Sequence, residues 1–247
     1  MLVDHPNVRK YITTVREAHS SAFALHSETA ILLEDAMTTP HPHKDELGLT
    51  LDMLFVQGHK AHISVMRLAE LALVEDAATI TRRLLELSIQ AAYITEPPDD
   101  KGRRRRAGMY LAFMWRQFPR RFRESFPSTL KAQWSKFARS YGRFVRAKAK
   151  TWGPNWKEMF EQTGHLSTYT SDYAFLSAIA HGRPDEQIIA FSGPTIRVTP
   201  HHHVSGLLIF ASRYYLGLGM LWSSVHQLLP DAAAEDLLRR LREWKPG

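Results

Sequence analysis

The chain has 247 residues, 44% of them hydrophobic and 23% charged, a balance that suits a folded core and excludes a disordered polymer. It has no cysteine, which excludes disulfides and thiolate metal sites and accords with a cytoplasmic location. Its net charge of +7 is uneven: residues 101–150 carry 16 of the 32 lysines and arginines against one acid, Glu124, a local +15 that leaves −8 on the rest.

Pro6 opens a first helix that the apolar spacing carries to about Met37, and the stretch from Thr38 to Lys44 reads as a loop. A second helix is expected from about Asp45 to Val74, with Gly58 as a weak point or bend, and a third from about Asp76 to Thr95, stopped by Pro97 and Pro98. The third is apolar on most sides and belongs inside a bundle. Gly102 and Arg103 to Arg106 begin a fourth helix that ends near Pro119. A fifth runs from about Thr129 to Thr151, before Gly153 and Pro154. Short helices follow over Asn155 to Gln162 and Thr168 to His181, the latter closed by Gly182. Gln187 to Val198 reads as a β-hairpin turning at Ser192-Gly193-Pro194. His201 to Leu229 and Asp231 to Trp244 complete the chain as helices. The expectation is a single all-α domain over residues 1–247, a bundle of about seven to eight helices with one short β-hairpin near 187–198.

The N-terminal stretch lacks the apolar centre of a signal peptide. Val204 to Leu221 is the nearest approach to a membrane span, interrupted by Ser205, Gly206, Ser212, Arg213, Gly217 and Gly219. It is read as a buried helix, and no membrane span is expected.

Two constellations carry candidate chemistry. On the third helix Arg82 and Glu86 are one turn apart and can pair, and Tyr93 falls about 20° from Arg82 on the helical wheel. Tyr173, Ser177 and His181 repeat every four residues and share a face. If the two helices pack together, Arg82, Glu86, Ser177 and His181 form one polar cluster. His181 is then a candidate acid or base and Arg82 a stabiliser of phosphate charge. The alternative is a structural network that fixes helix register.

The second constellation is the fifth helix, where Lys136, Arg139, Arg143, Arg146 and Lys150 lie within about 80° of one another. Trp134, Phe137, Tyr141, Phe144 and Val145 lie opposite. Such a helix docks its aromatic side and offers its basic side to nucleic acid or another polyanion.

Histidine gives no strong metal signature. His59 and His62 share a helix face, His201 to His203 form a run, and His41 and His43 fall in the proline-rich loop, exposed to solvent. Neither the His59–His62 pair nor the His201–His203 run has a well-spaced carboxylate, and neither metal nor cofactor is expected. The Gly-rich phosphate loop, the dinucleotide fingerprint and the Gly-x-Ser-x-Gly elbow are all absent from the sequence.

Arg82-x-x-x-Glu86 with Tyr93, then Trp152-Gly153, then Tyr173-x-x-x-Ser177-x-x-x-His181-Gly182, resembles a bacterial helical family known as domain of unknown function 5677, over about residues 45–230. The resemblance implies a bundle that brings Arg82, Glu86, Ser177 and His181 together, and no established activity. The chain is also distantly similar to the HEPN ribonuclease superfamily. Arg197 with His202 or His203 meets that superfamily's Arg–His spacing, but Arg197 is placed in a strand rather than on a helix. Three readings follow: a binding protein that engages RNA or DNA through residues 101–150, a metal-independent ribonuclease of HEPN type, or a non-catalytic interaction module that can form homo-oligomers.

Overall fold

The computed structural model describes residues 5–41, 45–145, 152–181, 189–192, 195–198 and 203–245. They form helices α1 (Pro6–Ala18), α2 (Ser20–Thr38), α3 (Glu46–Glu70), α4 (Val74–Thr95), α5 (Asp100–Gln117), α6 (Arg120–Glu124), α7 (Ser128–Tyr141), α8 (Trp156–Gln162), α9 (Leu166–Thr168), α10 (Ala174–Ala180), α11 (Val204–His226) and α12 (Asp231–Glu243). Strands Ile189–Ser192 and Thr195–Val198 pair antiparallel with Ile189 opposite Val198. The fold is helical, in more and shorter segments than the seven or eight read from periodicity.

Local signals place several helix starts. The Asp45 and Asp99 side chains accept from the backbone N–H of Gly48 and Gly102, at 2.9 and 2.8 Å, and so cap α3 and α5. Asn155 and Glu158 make a reciprocal capping box on α8.

α3, α4 and α11 pack against one another at the centre, with α2 and α12 against α11, α10 against α4, and α5 between α3 and α7. Leu51, Leu54, Leu84, Leu111, Tyr215, Leu218 and Trp222 are fully or almost fully buried there. Each such side chain contributes about 1.5–3 kcal/mol by leaving water.

Three boundaries differ from the sequence reading. The first helix is broken at His19, whose φ of −123° and ψ of 26° leave the helical region, and whose Nδ1 lies 2.8 Å from Ser205 Oγ on α11. The second ends at Glu70, and the turn into α4 passes through Ala72 at φ 49°, a left-handed residue with no glycine to announce it. Gly58 does not interrupt α3, and a Cβ there would stand 2.5 Å from Leu218 Cδ2, so the glycine admits α11.

The fifth predicted helix stops at Tyr141, ten residues before the expected Thr151. A single 3-10 turn, Gly142–Phe144, follows. The Tyr141 ring lies on Gly108, where a Cβ would be 2.4 Å away, and Arg116 donates to the carbonyls of Gly142 and Val145 at 2.7 Å each. Arg116 takes carbonyls that a continuing helix would have used internally.

The expectation that nothing could span a membrane is corrected by α11. This 23-residue helix is long and apolar enough to do so by length and composition, although 61% of its most apolar stretch is buried inside the bundle. The polar interruptions noted in the sequence are too few to remove that character.

Candidate active site

The α4–α10 packing assembles the polar cluster that the four-residue spacings suggest. Arg82 Nε lies 3.5 Å from Glu86 Oε1, and Arg82 Nη1 donates to His181 Nε2 at 3.3 Å. The Tyr173 hydroxyl donates to Glu86 Oε1 at 3.5 Å, and the Arg82 guanidinium sits over the Tyr173 ring, 5.7 Å from its centroid. Glu86 is buried, Arg82 and Tyr173 are half-buried, and His181 is exposed at the C-terminus of α10. The cluster is therefore open on the His181 side.

One predicted member stays apart. Ser177 Oγ is buried yet makes no hydrogen bond, so Ser177 shares the face without joining the network. Two unpredicted members appear. Arg83 donates to Glu86 Oε2 and to Gln57 Oε1, both at 3.4 Å, so Glu86 lies between two guanidinium groups. The three-residue step from Arg83 to Glu86 could have signalled this pair. Burial, and then the neighbouring Glu86 charge, raise the Tyr173 pKa, which keeps its phenol protonated as a donor.

Tyr93 does not extend the cluster. Eleven residues beyond Arg82, about 16 Å along α4, it packs under the Arg106 guanidinium at 3.9 Å and against Trp152. Trp152 also meets the Tyr110 ring edge-on. The motif residues thus divide into a polar group around Glu86 and a packing group around Trp152.

Tyr169–Tyr173, between α9 and α10, is a π turn. From it Tyr173 reaches Glu86 on α4, while Asp172 accepts from the Tyr214 hydroxyl on α11 at 2.7 Å. Such turns are frequent at functional sites.

The predicted nucleic-acid surface is only partly assembled. Lys136 and Arg139 are exposed on α7, but Arg143 lies in the 3-10 turn, and Arg146 and Lys150 lie outside the described residues. Several other cations are already engaged: Arg104 with Asp45 and Asp100, Arg106 with Glu96, Arg120 with Glu124, and Arg103 with the Pro97 carbonyl. One convergence stands out. Arg105 of α5 and Arg143 both sit on the Phe144 ring, 4.4 and 4.7 Å from its centroid, with no carboxylate within 4 Å of either among the described residues.

The histidines are distributed differently from the sequence reading. His26 and His62 stack inside the core, ring centroids 3.6 Å apart, both fully buried. His59 Nδ1 lies 2.9 Å from the Tyr215 hydroxyl. His41 is half-buried rather than exposed and meets Asp52 and His226. His43, His201 and His202 lie outside the described residues, as does Gly182, and Arg197 falls in the second strand.

The chain matches no curated protein and no solved structure. Residues 51–187, which run from within α3 through α10 and include every member of the Arg82–Glu86–His181 cluster, match the Family of unknown function (DUF5677), and the chain belongs to that family.

Proposed function

We propose that the α4–α10 cluster is a metal-independent acid–base site that cleaves the phosphodiester backbone of RNA. The observation that carries this reading is the Arg82–His181 contact of 3.3 Å at an open edge, with Glu86 and Tyr173 holding the guanidinium from behind. The guanidinium needs no conformational search to present its remaining N–H groups to a phosphate oxygen, and such preorganisation is what lowers a barrier. His181 is an imidazole with solvent access, a side chain that can serve as a general base.

RNA carries its own nucleophile, the 2′-hydroxyl, so its cleavage requires no metal-activated water. The substrate phosphate draws the Arg82 N–H away from His181 Nε2, the freed lone pair takes the 2′-hydroxyl proton, the 2′ oxygen bonds to phosphorus, and Arg82 offsets the charge that builds on the phosphate oxygens. The 5′ oxygen departs and is protonated by water. The products are a 2′,3′-cyclic phosphate and a 5′-hydroxyl.

The test is incubation of tag-free protein with single-stranded RNA and with DNA of the same sequence, without added divalent metal. Cleavage of the RNA alone, with a cyclic phosphate end, and its loss in His181→Ala support the reading. An inert parent protein, or a His181→Ala variant as active as the parent, overturns it.

The two guanidinium groups on the Phe144 ring favour a second reading, in which the chain binds single-stranded nucleic acid without cutting it. An exposed ring flanked by two cations with no carboxylate within 4 Å among the described residues suits a stacked base between phosphates. Arg105→Glu with Arg143→Glu then abolishes a mobility shift, and an unchanged shift rejects this reading.

A further inference from the structure

We propose that His41, Asp52 and His226 form a binding site for one divalent transition-metal ion, zinc foremost. The three come from separate elements: His41 from the segment after α2, Asp52 from α3, and His226 from the last position of α11. Their potential ligand atoms all lie within 4.8 Å of one another. His41 Nε2 is 3.2 Å and His226 Nε2 3.3 Å from the same carboxylate oxygen, Asp52 Oδ1. Ligand atoms about 2.1 Å from a tetrahedral zinc stand about 3.4 Å apart, so both spacings match the edges of such a site.

The proton arrangement points the same way. His41 Nδ1 lies 2.8 Å from the Thr39 carbonyl oxygen. A carbonyl only accepts, so Nδ1 carries a proton, and Nε2, the nitrogen that faces Asp52, is the ring atom placed to ligate a metal. A second ring nitrogen bound to a backbone carbonyl is the usual outer support of a metal-bound histidine. The carboxylate has its own support: Trp222 Nε1 donates to Asp52 Oδ1 at 2.6 Å, and the indole is fixed by stacking on Phe55 at 4.2 Å. The carbonyl end of α11, at His226, adds a field that favours a cation.

Two imidazoles and one carboxylate suit a borderline metal such as zinc better than calcium or magnesium, which prefer oxygen alone. Three protein ligands leave one position for water, on the His41 side, where the cluster is only half-buried. Bound metal would tie the segment after α2 to α3 and to the end of α11.

Tag-free protein, dialysed against zinc and then against metal-free buffer, tests the site by elemental analysis. Cobalt(II) substitution adds an optical readout through the intense visible bands of a tetrahedral complex. One zinc per chain, cobalt bands, and a rise in Tm with zinc are expected. His41→Ala, in a loop, and Asp52→Asn, of equal size, should each weaken binding by about 100-fold, at the upper end of what even outer-shell changes cost. Absence of retained metal and of cobalt bands in the parent overturns the proposal. So do bands of undiminished intensity in either variant, which would place the metal on other histidines. Retained circular dichroism in both variants separates lost ligation from lost folding.

Discussion

His26 and His62 sit sealed between α2, α3 and α11, whereas His181 stands at the open end of α10, and the contrast separates a histidine that packs from one that can react. The His26–His62 pair is held as two neutral rings. His26 Nε2 lies 3.1 Å from the His62 carbonyl oxygen, and His26 Nδ1 lies 3.0 Å from Ser212 Oγ, whose hydroxyl donates to the Leu208 carbonyl at 2.8 Å. Burial lowers the His26 pKa to about 4 and that of His62 well below its ordinary value. Neither ring reaches solvent. His181 has a charged partner in Arg82 and a face toward water. The two environments differ in access to water, which the proposed acid–base role requires and a packed pair does not.

The largest expected effect is a reciprocal pair of substitutions. His181→Ala should reduce RNA cleavage by at least about 100-fold, the usual contribution of a general base, with Tm unchanged. His26→Ala should do the reverse. It empties a fully buried position and should cost about 2–4 kcal/mol in urea unfolding, while the folded fraction keeps its specific activity. Equal loss of stability in both variants would erase the distinction between the two environments.

Acid should expose the sealed pair next. The unfolded chain takes up a proton at His26 as pH falls through 6.5, while the folded chain resists until about 4. The unfolded state therefore binds more protons in that window, and stability present above pH 6.5 is lost progressively on acidification. The loss from His26 approaches about 3 kcal/mol by pH 4, and His62 adds in the same direction. Urea midpoints at pH 7.5, 5.5 and 4.5 measure it. A flat profile contradicts neutral burial, and His26→Gln should flatten the slope.

Glu86→Gln gives a smaller effect. The buried carboxylate lies between Arg82 and Arg83, whose side chains are 26% and 45% exposed. Because water solvates both cations when the anion is removed, the cost should be about 1–2 kcal/mol rather than that of a sealed pair. Activity should fall further than stability alone explains, since Arg82 loses its anchor.

What the sequence made legible follows from distance along the chain. Arg82 and Glu86, or Tyr173 and His181, report their faces through helical spacing, and one packing assumption joins them. The start of α8 was legible because Asn155 and Glu158 cap it locally. The α3–α4 turn was not, because Ala72 adopts a left-handed conformation without a glycine. The His41–Asp52–His226 group was invisible for a stronger reason. Its members lie on three elements, and no spacing within any one of them carries information about the others. The break-up of the basic helix was hidden likewise, because Arg116 stops α7 from a neighbouring helix.

That last point gives the smallest test. Arg116 and Arg139 look alike in sequence, both basic and both surface-exposed. Arg116 donates to two carbonyls at the end of α7, whereas Arg139 faces solvent with no carboxylate within 4 Å among the described residues. Arg116→Ala leaves those carbonyls to water and frees the turn at Gly142, which should cost about 1 kcal/mol. Arg139→Ala should change stability by less than about 0.5 kcal/mol and register only in nucleic-acid affinity. If the two variants lose equal stability, Arg116 is not what ends α7. A basic helix continuing past Tyr141, with Arg143 on the same stripe as Lys136 and Arg139, then becomes the better description of that face.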